Sequence, residues 1–431
     1  MPTQTLSEQD PATAATPGDD LPKVSSRYIW LLLLALFGTY IAFVTPIAIS
    51  LAIRVKALAP DNEEYLGYVI GAAAAVSLVS GPVAGILSDR TRTRLGRRRP
   101  WLIAGSVLGS VGLLGIAVAP NVLTVAVGWG VAALGWNTVI GNITNSQADR
   151  LPESQRGKVG GLVGVVTMAA PVCGSVLGGI LATNSVLLFM VPAFIGVLLV
   201  LLFCVFVPEE DSRERVFAEE LNVRLLLSKF VLDPRRYPDL SWNWLARFLF
   251  YFGLTLTSTF TAYLFAQRLR LDVTEIGTVV AIAGSVGVVA VMIGAVGSGF
   301  VSDRLRRRKP FVLGAGLMFA VGALVMAFST SLPVLLVGMG ITNLGLGVFS
   351  AVDQALLLDV LPEKDTDAGR FVGITGLANS GAQSLAPLVA PVFLGVGVVA
   401  GGDKNYSLLY VVAAGFTVLG GLAVLRVRSV R

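Results

Sequence analysis

Hydrophobic positions along this 431-residue chain form long runs separated by short polar intervals. A helix needs about 20 apolar residues to cross the roughly 30 Å hydrocarbon core of a bilayer, and each run approaches or exceeds that length. The runs cover residues 28–52, 65–88, 100–119, 122–147, 157–182, 186–207, 242–267, 275–301, 310–329, 333–358, 370–396 and 406–427. The pattern predicts an all-α membrane protein with twelve transmembrane helices in two sets of six.

Two longer polar stretches divide the chain. Residues 1–26 are rich in Ala, Thr, Pro and Asp and lack the basic start of a signal peptide, which predicts a disordered cytoplasmic tail. The interval 208–241 mixes charged with apolar residues and predicts a cytoplasmic linker. The linker is either a plain tether or contains a helix that lies on the membrane surface. We therefore expect one six-helix bundle at 27–207 and a second at 242–431.

Charged residues lie mainly in the gaps between the apolar runs. Only 14% of the chain is charged, 54% is hydrophobic, and the formal net charge is +6. Cytoplasmic loops collect Lys and Arg, so we place both termini and the even-numbered loops in the cytoplasm. That arrangement leaves five basic residues on the other side: Arg54, Lys56, Arg268, Arg270 and Lys404. The positive charge thus reports topology, and we expect no nucleic-acid partner.

An arginine-rich loop occurs twice, once between the second and third runs and once between the eighth and ninth. Three landmarks recur at offsets between 210 and 214 residues: Asp89 as Asp303, Leu151-Pro152 as Leu361-Pro362, and Gly157-Lys158 as Gly369-Arg370. A repeat of this period indicates that the two sets of helices are parallel copies, related by an axis along the membrane normal.

These features together resemble the major facilitator superfamily. The motif Gly85-x-x-x-Asp89-Arg90, the long loop as far as Pro100, and the segment Gln147 to Gly157 are similar to the sucrose transporters and the glycoside-pentoside-hexuronide symporters. The resemblance implies alternating access, with a charge-paired latch that closes the cytoplasmic side in the outward-open state. The latch candidates are Asp89, Arg90, Arg97, Arg98, Asp303, Arg304 and Arg307.

The chain departs from the symporter group at two helices. The second run contains no acidic residue and the eleventh no Lys, so we expect no sodium site of that group's type. The fifth run contains Ala170-Pro171-Val172-Cys173-Gly174, which is similar to a motif of drug/proton antiporters. Small residues at that spacing also simply let helices approach closely, so the segment supports an exporter hypothesis only in part.

Two charged side chains fall inside apolar runs, Arg247 in the seventh and Asp353 in the tenth. An ionisable group in a membrane helix is costly and is therefore a functional candidate. Because the chain has no His, proton coupling must use carboxylates. We predict that Asp353 carries the proton with Arg247 as its partner, and Asp149 is a further candidate. The alternative is a structural ion pair between the two helices.

Polar residues at helical spacing form stripes on the fourth, seventh, tenth and eleventh runs. Amides and hydroxyls on apolar walls suit a neutral, polyhydroxylated ligand, and Trp136 and Tyr251 could supply a flat face for a sugar ring. The cavity candidates are Trp136, Asn137, Asn142, Asn145, Tyr251, Thr255, Ser258, Asn343, Ser350, Gln354, Asn379 and Gln383. The alternative is that the amides join helix to helix.

These observations predict a secondary transporter rather than an enzyme. No Gly-x-x-x-x-Gly-Lys-Ser/Thr motif is present, so we expect no nucleotide and no other cofactor, and a proton gradient as driving force. Cys173 and Cys204 lie in apolar runs and predict neither a disulfide nor a metal site. We expect a monomer in the plasma (inner) membrane that moves a small solute such as a sugar or glycoside. A proton-driven exporter of drugs or natural products is the alternative.

Overall fold

The computed structural model describes residues 22–209, 211–213, 232–305, 307–360, 362, 368–397 and 403–428, and within them every regular element is a helix. The helices are α1 (Ser26–Leu58), α2 (Tyr65–Asp89), α3 (Arg99–Ala117), α4 (Val122–Arg150), α5 (Glu153–Ile180), α6 (Ser185–Phe206), α7 (Pro238–Leu269), α8 (Gly277–Leu305), α9 (Lys309–Phe328), α10 (Leu332–Val360), α11 (Ala368–Leu394) and α12 (Tyr406–Val424). The predicted all-α membrane fold is confirmed.

Ten of these helices are individually long and apolar enough to cross a membrane. The eleventh is α2, which bends by 44° between its segments Tyr65–Leu78 and Val83–Asp89. α1 contains one π-helical stretch, Pro46–Ser50, which starts at a proline that has no backbone N–H to donate. Two predictions, a disordered tail and a surface helix in the linker, concern segments largely outside the described residues, 1–21 and 214–231.

The helices pair in the same way in both halves. In the N-terminal half α1 packs on α5 and α6, α4 packs on α2 and α3, and α3 packs on α6. Adding six to each number gives the main pairs of the C-terminal half: α7 with α11 and α12, α10 with α8 and α9, and α9 with α12. The repeat in the sequence is thus also a repeat in the packing, as two parallel copies require.

Arg54 and Arg268 occupy equivalent places in the two copies. Arg54, near the end of α1, donates to the carbonyl oxygens of Ile116 and Ala119 at the end of α3, at 3.2 and 2.7 Å. Arg268, near the end of α7, donates to the carbonyl oxygen of Ala327 in the last turn of α9. The last carbonyls of a helix have no partner within it, so these two cations cap helix ends.

The two halves meet mainly through two helix pairs, α2 with α11 and α5 with α8. We call the end of the bundle with the two arginine-rich loops the arginine-rich face, and the other end the opposite face. At the opposite face the helices nearly touch: a Cβ on Gly277 would lie 2.1 Å from Cα of Gly179, and one on Gly67 would lie 2.3 Å from the carbonyl oxygen of Pro387.

The same helices separate toward the arginine-rich face. Gly161 and Gly85 lie about five turns further along the stripes of α5 and α2 that carry Gly179 and Gly67. Among the described residues, no atom beyond its own helix lies within 4 Å of where a Cβ on either glycine would be. The gap between the halves is therefore closed at the opposite face and open at the arginine-rich face.

Candidate functional site

Asp353 of α10 and Arg247 of α7 form a buried ion pair. Both the Nε and the Nη2 atoms of Arg247 contact Oδ2 of Asp353, at 2.7 and 2.6 Å. The side chain of Asp353 is 1% exposed and that of Arg247 is 11% exposed. At 1.5 Å per residue the two lie about 10 to 14 Å from the arginine-rich ends of their helices. The structure therefore places the predicted pair in direct contact, well inside the membrane region.

Asn243 is the third member of this site, and it was not among the residues predicted from the sequence. Its Nδ2 donates to Oδ1 of Asp353 at 3.0 Å, and the residue is fully buried. Its own Oδ1 accepts no hydrogen bond from the described residues. Asn243 lies one helical turn before Arg247, so the i, i+4 spacing on α7 was the signal that could have found it. We call Asn243, Arg247 and Asp353 the triad.

Several polar candidates of the C-terminal half have exposed side chains. Arg247 donates from Nη2 to Oε1 of Gln354 at 3.4 Å, and Gln354 is exposed. Gln383 of α11 is exposed and donates to Asn379 at 2.7 Å. Ser258 and Ser350 are exposed as well, and Tyr251 is half-buried beside Phe349. The exposed amides and hydroxyls of the predicted set thus lie on α7, α10 and α11.

Several other candidates are buried or half-buried, and two of them contact a neighbouring helix. Asn137 donates to Ser77 of α2 at 3.1 Å, Asn142 is buried and donates to a carbonyl of its own helix, and Asn343 lies against Gly287 of α8. Thr255 is buried and donates to the carbonyl of Tyr251. Asn145 is half-buried. The contacts of Asn137 and Asn343 match the alternative of helix joining, whereas Asn142 and Thr255 bond within their own helices.

Trp136 does not line the solute cavity as predicted. The residue is fully buried between α3, α4 and α6, because glycines on the two neighbouring helices make room for its ring. A Cβ on Gly109 would lie 2.6 Å from Nε1, and one on Gly196 would lie 2.7 Å from Cη2. Trp136 therefore belongs to the core of the N-terminal half and offers no face to a solute in this conformation.

Each half has one ion network that includes latch candidates: Asp89, Arg97 and Arg98 in the first half, and Asp303 in the second, where Arg308, which was not predicted, is the central cation. Arg98 contacts Ser88 Oγ at 2.6 Å, Asp89 at 2.6 Å and Asp149 at 3.3 Å, and Arg97 contacts Asp149 at 2.8 Å. This corrects the placement of Asp149, which pairs with the arginine-rich loop at the end of α4 and lies away from the triad.

The second network repeats the first. Arg308 contacts Ser302 at 3.0 Å, Asp359 at 3.4 Å and also Asp303. Arg304 and Arg307 are exposed, and Arg90 is half-buried with interactions of its own. Both networks tie a loop to the end of α4 or α10 inside one half. In this conformation the arginine-rich face is open, so the predicted role as a latch between halves remains a prediction.

A polar contact joins the halves at the opposite face. Lys404, just before α12, forms a salt bridge with Glu64 at 2.9 Å, and the Tyr406 hydroxyl donates to Glu63. Lys56 of α1 forms a second salt bridge, with Glu63, at 2.5 Å. Burial alone would raise the pKa of Glu64, but its contacts with Lys404 and Asn62 outweigh burial, so this pKa lies below its ordinary 4.5. We call Glu63, Glu64, Lys404 and Tyr406 the clamp.

Two parallel six-helix halves, a gap that opens to one side only and a buried ion pair at its edge define a membrane carrier. The sequence profile of the Major Facilitator Superfamily matches residues 29–298 and 244–431. The chain belongs to this superfamily. It is an integral membrane transporter and not an enzyme.

Three known proteins are similar to the chain in part of the sequence or in the fold. It is 30% identical over 125 residues to the General alpha-glucoside permease of Schizosaccharomyces pombe, an alignment that covers 28% of this chain and only 21% of that permease. The crystal structure of the nucleoside transporter NupG shares the fold with a TM-score of 0.73 at 13% identity, over 93% of this chain and 98% of that one. The crystal structure of a D-xylose-proton symporter does so with a TM-score of 0.71 at 17% identity, over 94% and 98%.

Proposed function

We propose that this transporter is a secondary active carrier of a sugar or glycoside, driven by protons that bind at Asp353. The observation that carries the proposal is the buried triad on α7 and α10. The carboxylate of Asp353 has almost no exposure and is held by one cation and one amide. Because an ionisable group inside a membrane helix costs free energy, its presence there indicates a function. The similarity to an α-glucoside permease and to a D-xylose-proton symporter supports the solute class and the ion.

The triad couples a proton to a solute by competition for Arg247. While Asp353 is a carboxylate, it accepts a hydrogen bond from Nε of Arg247 and forms an ion pair with Nη2. A proton on Asp353 removes that negative charge, and leaving a buried cation without its partner costs about 3–5 kcal/mol. Solute hydroxyls beside the exposed Gln354 can accept from Arg247 in its place. Proton and solute then favour each other's binding, which is the sign that symport requires.

Asn243 can serve both protonation states. Its Nδ2 donates to the carboxylate in the structure, while its Oδ1 has no partner among the described residues. A rotation of the amide would present that oxygen to a carboxylic acid O–H, since an Asn side chain both donates and accepts. Asn243 therefore offers a hydrogen-bond partner to Asp353 in either protonation state.

The solute would contact mainly the C-terminal half. The exposed polar candidates are Ser258, Ser350, Gln354 and Gln383, with Asn379 beside Gln383. A hydroxyl-rich ligand needs such donors and acceptors because each hydroxyl loses water on binding. The proposed site thus joins α7, α10 and α11 around the triad.

The test is uptake by proteoliposomes at an imposed pH gradient, with radiolabelled maltose, sucrose, methyl α-glucoside, xylose and uridine as probes. We expect accumulation of at least one glycoside or sugar by the wild-type protein. Asp353→Asn should abolish accumulation and retain exchange of that solute across the membrane. Glu275→Gln, which changes an exposed acid between α7 and α8, is the matched control and should accumulate normally.

Two outcomes would contradict the proposal. Full accumulation by Asp353→Asn would show that the coupling proton does not bind at Asp353. A wild-type protein that binds lipophilic cations and none of the sugars, measured by thermal stabilisation in detergent, would instead favour export. The exporter hypothesis began with the segment at 170–174, but Gly174 packs directly on Thr45 of α1, and helix packing alone accounts for that glycine.

A further inference from the structure

The first helix and the sixth helix of the N-terminal half leave a basic crevice at the arginine-rich face. The cavity measures about 470 Å³, and Lys23, Arg27 and Arg150 line it together with Tyr28 and Phe206. One acid, Asp149, also lines it, but that carboxylate already pairs with Arg97 and Arg98. The crevice therefore carries an excess of positive charge.

Both arginines of this crevice are held against aromatic rings. The guanidinium carbon of Arg27 lies 5.1 Å from the centre of the Phe206 ring, and that of Arg150 lies 5.9 Å from the Tyr28 ring. Arg150 also donates to the carbonyl oxygen of Pro208 at 2.6 Å. A guanidinium that stacks on a ring still presents N–H donors in its own plane, the geometry that matches phosphate oxygens.

The C-terminal half repeats the arrangement at the equivalent place, between the start of α7 and the end of α12. A cavity of about 580 Å³ is lined by Trp242, Arg426 and Arg428. The guanidinium carbon of Arg426 lies 4.8 Å from the Trp242 ring. One acid, Asp239, lines this crevice too, and it accepts from the backbone N–H of Arg428 at 2.8 Å. Two crevices in equivalent positions thus share a cation stacked on an aromatic ring.

Apolar side chains continue from both crevices along the membrane. Trp30, one turn beyond Arg27 on α1, is 65% exposed, and Val205 beside Phe206 is 70% exposed. Leu422 and Leu425 on α12 are 46% and 47% exposed next to Arg426. Apolar surface of this kind on a membrane helix faces acyl chains, and basic residues at helix ends face head groups. Each crevice therefore presents cations where a head group lies and apolar surface where its chains would extend.

We propose that these two crevices bind the phosphate head groups of anionic phospholipids, one lipid in each half. The cations supply hydrogen bonds to phosphate, and the exposed apolar residues beside them supply contact for the chains. Basic pockets between membrane helices recognise anionic head groups in this way. The first crevice lies on other helices than the triad, and the second shares α7 with it but is lined by residues nearer the start of that helix. The lipid proposal therefore does not depend on the solute.

The experiment counts bound lipid by native mass spectrometry of the purified full-length protein. Phosphatidylglycerol and phosphatidylcholine of equal chain length are added in parallel titrations. Lys23→Gln/Arg27→Gln changes the first crevice and Arg426→Gln/Arg428→Gln the second. The matched control is Arg92→Gln/Arg94→Gln, which also removes two exposed charges from the arginine-rich face. Inorganic phosphate is added as a competitor.

We expect two phosphatidylglycerol molecules to bind the wild type and the control, and phosphatidylcholine to bind much more weakly. Each crevice variant should lose one of the two, with binding at that crevice about 30-fold weaker, or about fivefold for each cation. Equal binding of both lipids to the wild type, or unchanged binding by the two crevice variants, would overturn the proposal. Displacement of the lipid by millimolar phosphate would also overturn it, in favour of a soluble anion.

Discussion

Glu63→Gln/Glu64→Gln should weaken the closure of the opposite face. The salt bridge from Glu64 to Lys404 joins side chains that are 19% and 18% exposed and contributes about 1 kcal/mol to closure. The hydrogen bond from Tyr406 to Glu63 involves a charged acceptor and contributes about 1.5–3 kcal/mol. Glutamine recovers part of both contacts, so we expect a net loss of about 2 kcal/mol, or about 30-fold in the equilibrium between the two orientations.

The shift is large enough to observe directly. A protein that is closed at this face about 99% of the time would be closed there about three quarters of the time in the variant. Spin labels can be attached at Leu95 and Leu305, two exposed positions on the arginine-rich face in different halves. Double electron–electron resonance then measures the distance between the two labels. The background is free of the two native thiols, with Cys173→Ala and Cys204→Ala. The variant should add a population at shorter distance.

Asp61→Asn is the control for this measurement, because it removes an exposed acid close to the clamp in the chain. If the double variant gives the same distances as this control, the clamp does not hold the halves together. The pH dependence of the distances adds a second test. Since the pKa of Glu64 lies below 4.5 in the closed state, its contribution is present above that pH and is lost as pH falls through the lowered value. Titration of Glu64 should therefore cause no change in these distances between pH 5 and pH 7 in the Asp353→Asn background.

Three further predictions follow from the packing and the ion networks. Gly277→Ala brings a Cβ to 2.1 Å from Cα of Gly179, so closure of the opposite face should weaken by about 1–3 kcal/mol and the rate of solute uptake should fall about tenfold. The control is Gly297→Ala, whose Cβ meets open space and should leave uptake unchanged. Trp136→Ala should cost about 3–5 kcal/mol in thermal unfolding in detergent with unaltered solute affinity; a selective loss of affinity would restore Trp136 to the site. Arg98→Gln should destabilise the protein by about 1–3 kcal/mol through the loss of its charged partners, measured against the exposed Arg94→Gln; equal melting temperatures would refute this.

The fold could be predicted from the sequence because membrane crossing imposes a length and an apolar composition on every helix. The contact between Arg247 and Asp353 could be predicted for a related reason: a lone charge in an apolar run needs a partner, and these were the two candidates. The repeated loops indicated equivalent positions in two halves, and the structure shows that Arg98 and Arg308 do make equivalent contacts.

The sequence did not indicate which way most polar residues face. A membrane helix is apolar on all sides, so the direction of Trp136 depends on the glycines of two neighbouring helices rather than on any periodicity in α4. The clamp could not be predicted either, since Glu64 and Lys404 lie 340 positions apart in two short loops. Such contacts follow from the packing of complete helices and leave no local signal.

The triad belongs entirely to the C-terminal half, and this has a consequence for how protons reach it. When the halves rock, Asn243, Arg247 and Asp353 travel together, so their hydrogen bonds need not stretch or break. If Asp353 carries the proton as we propose, a single carboxyl group then faces the water on each side of the membrane in turn, and its protonation state depends on the compartment that it last faced. The time between two changes of orientation therefore determines how long Asp353 keeps that protonation state.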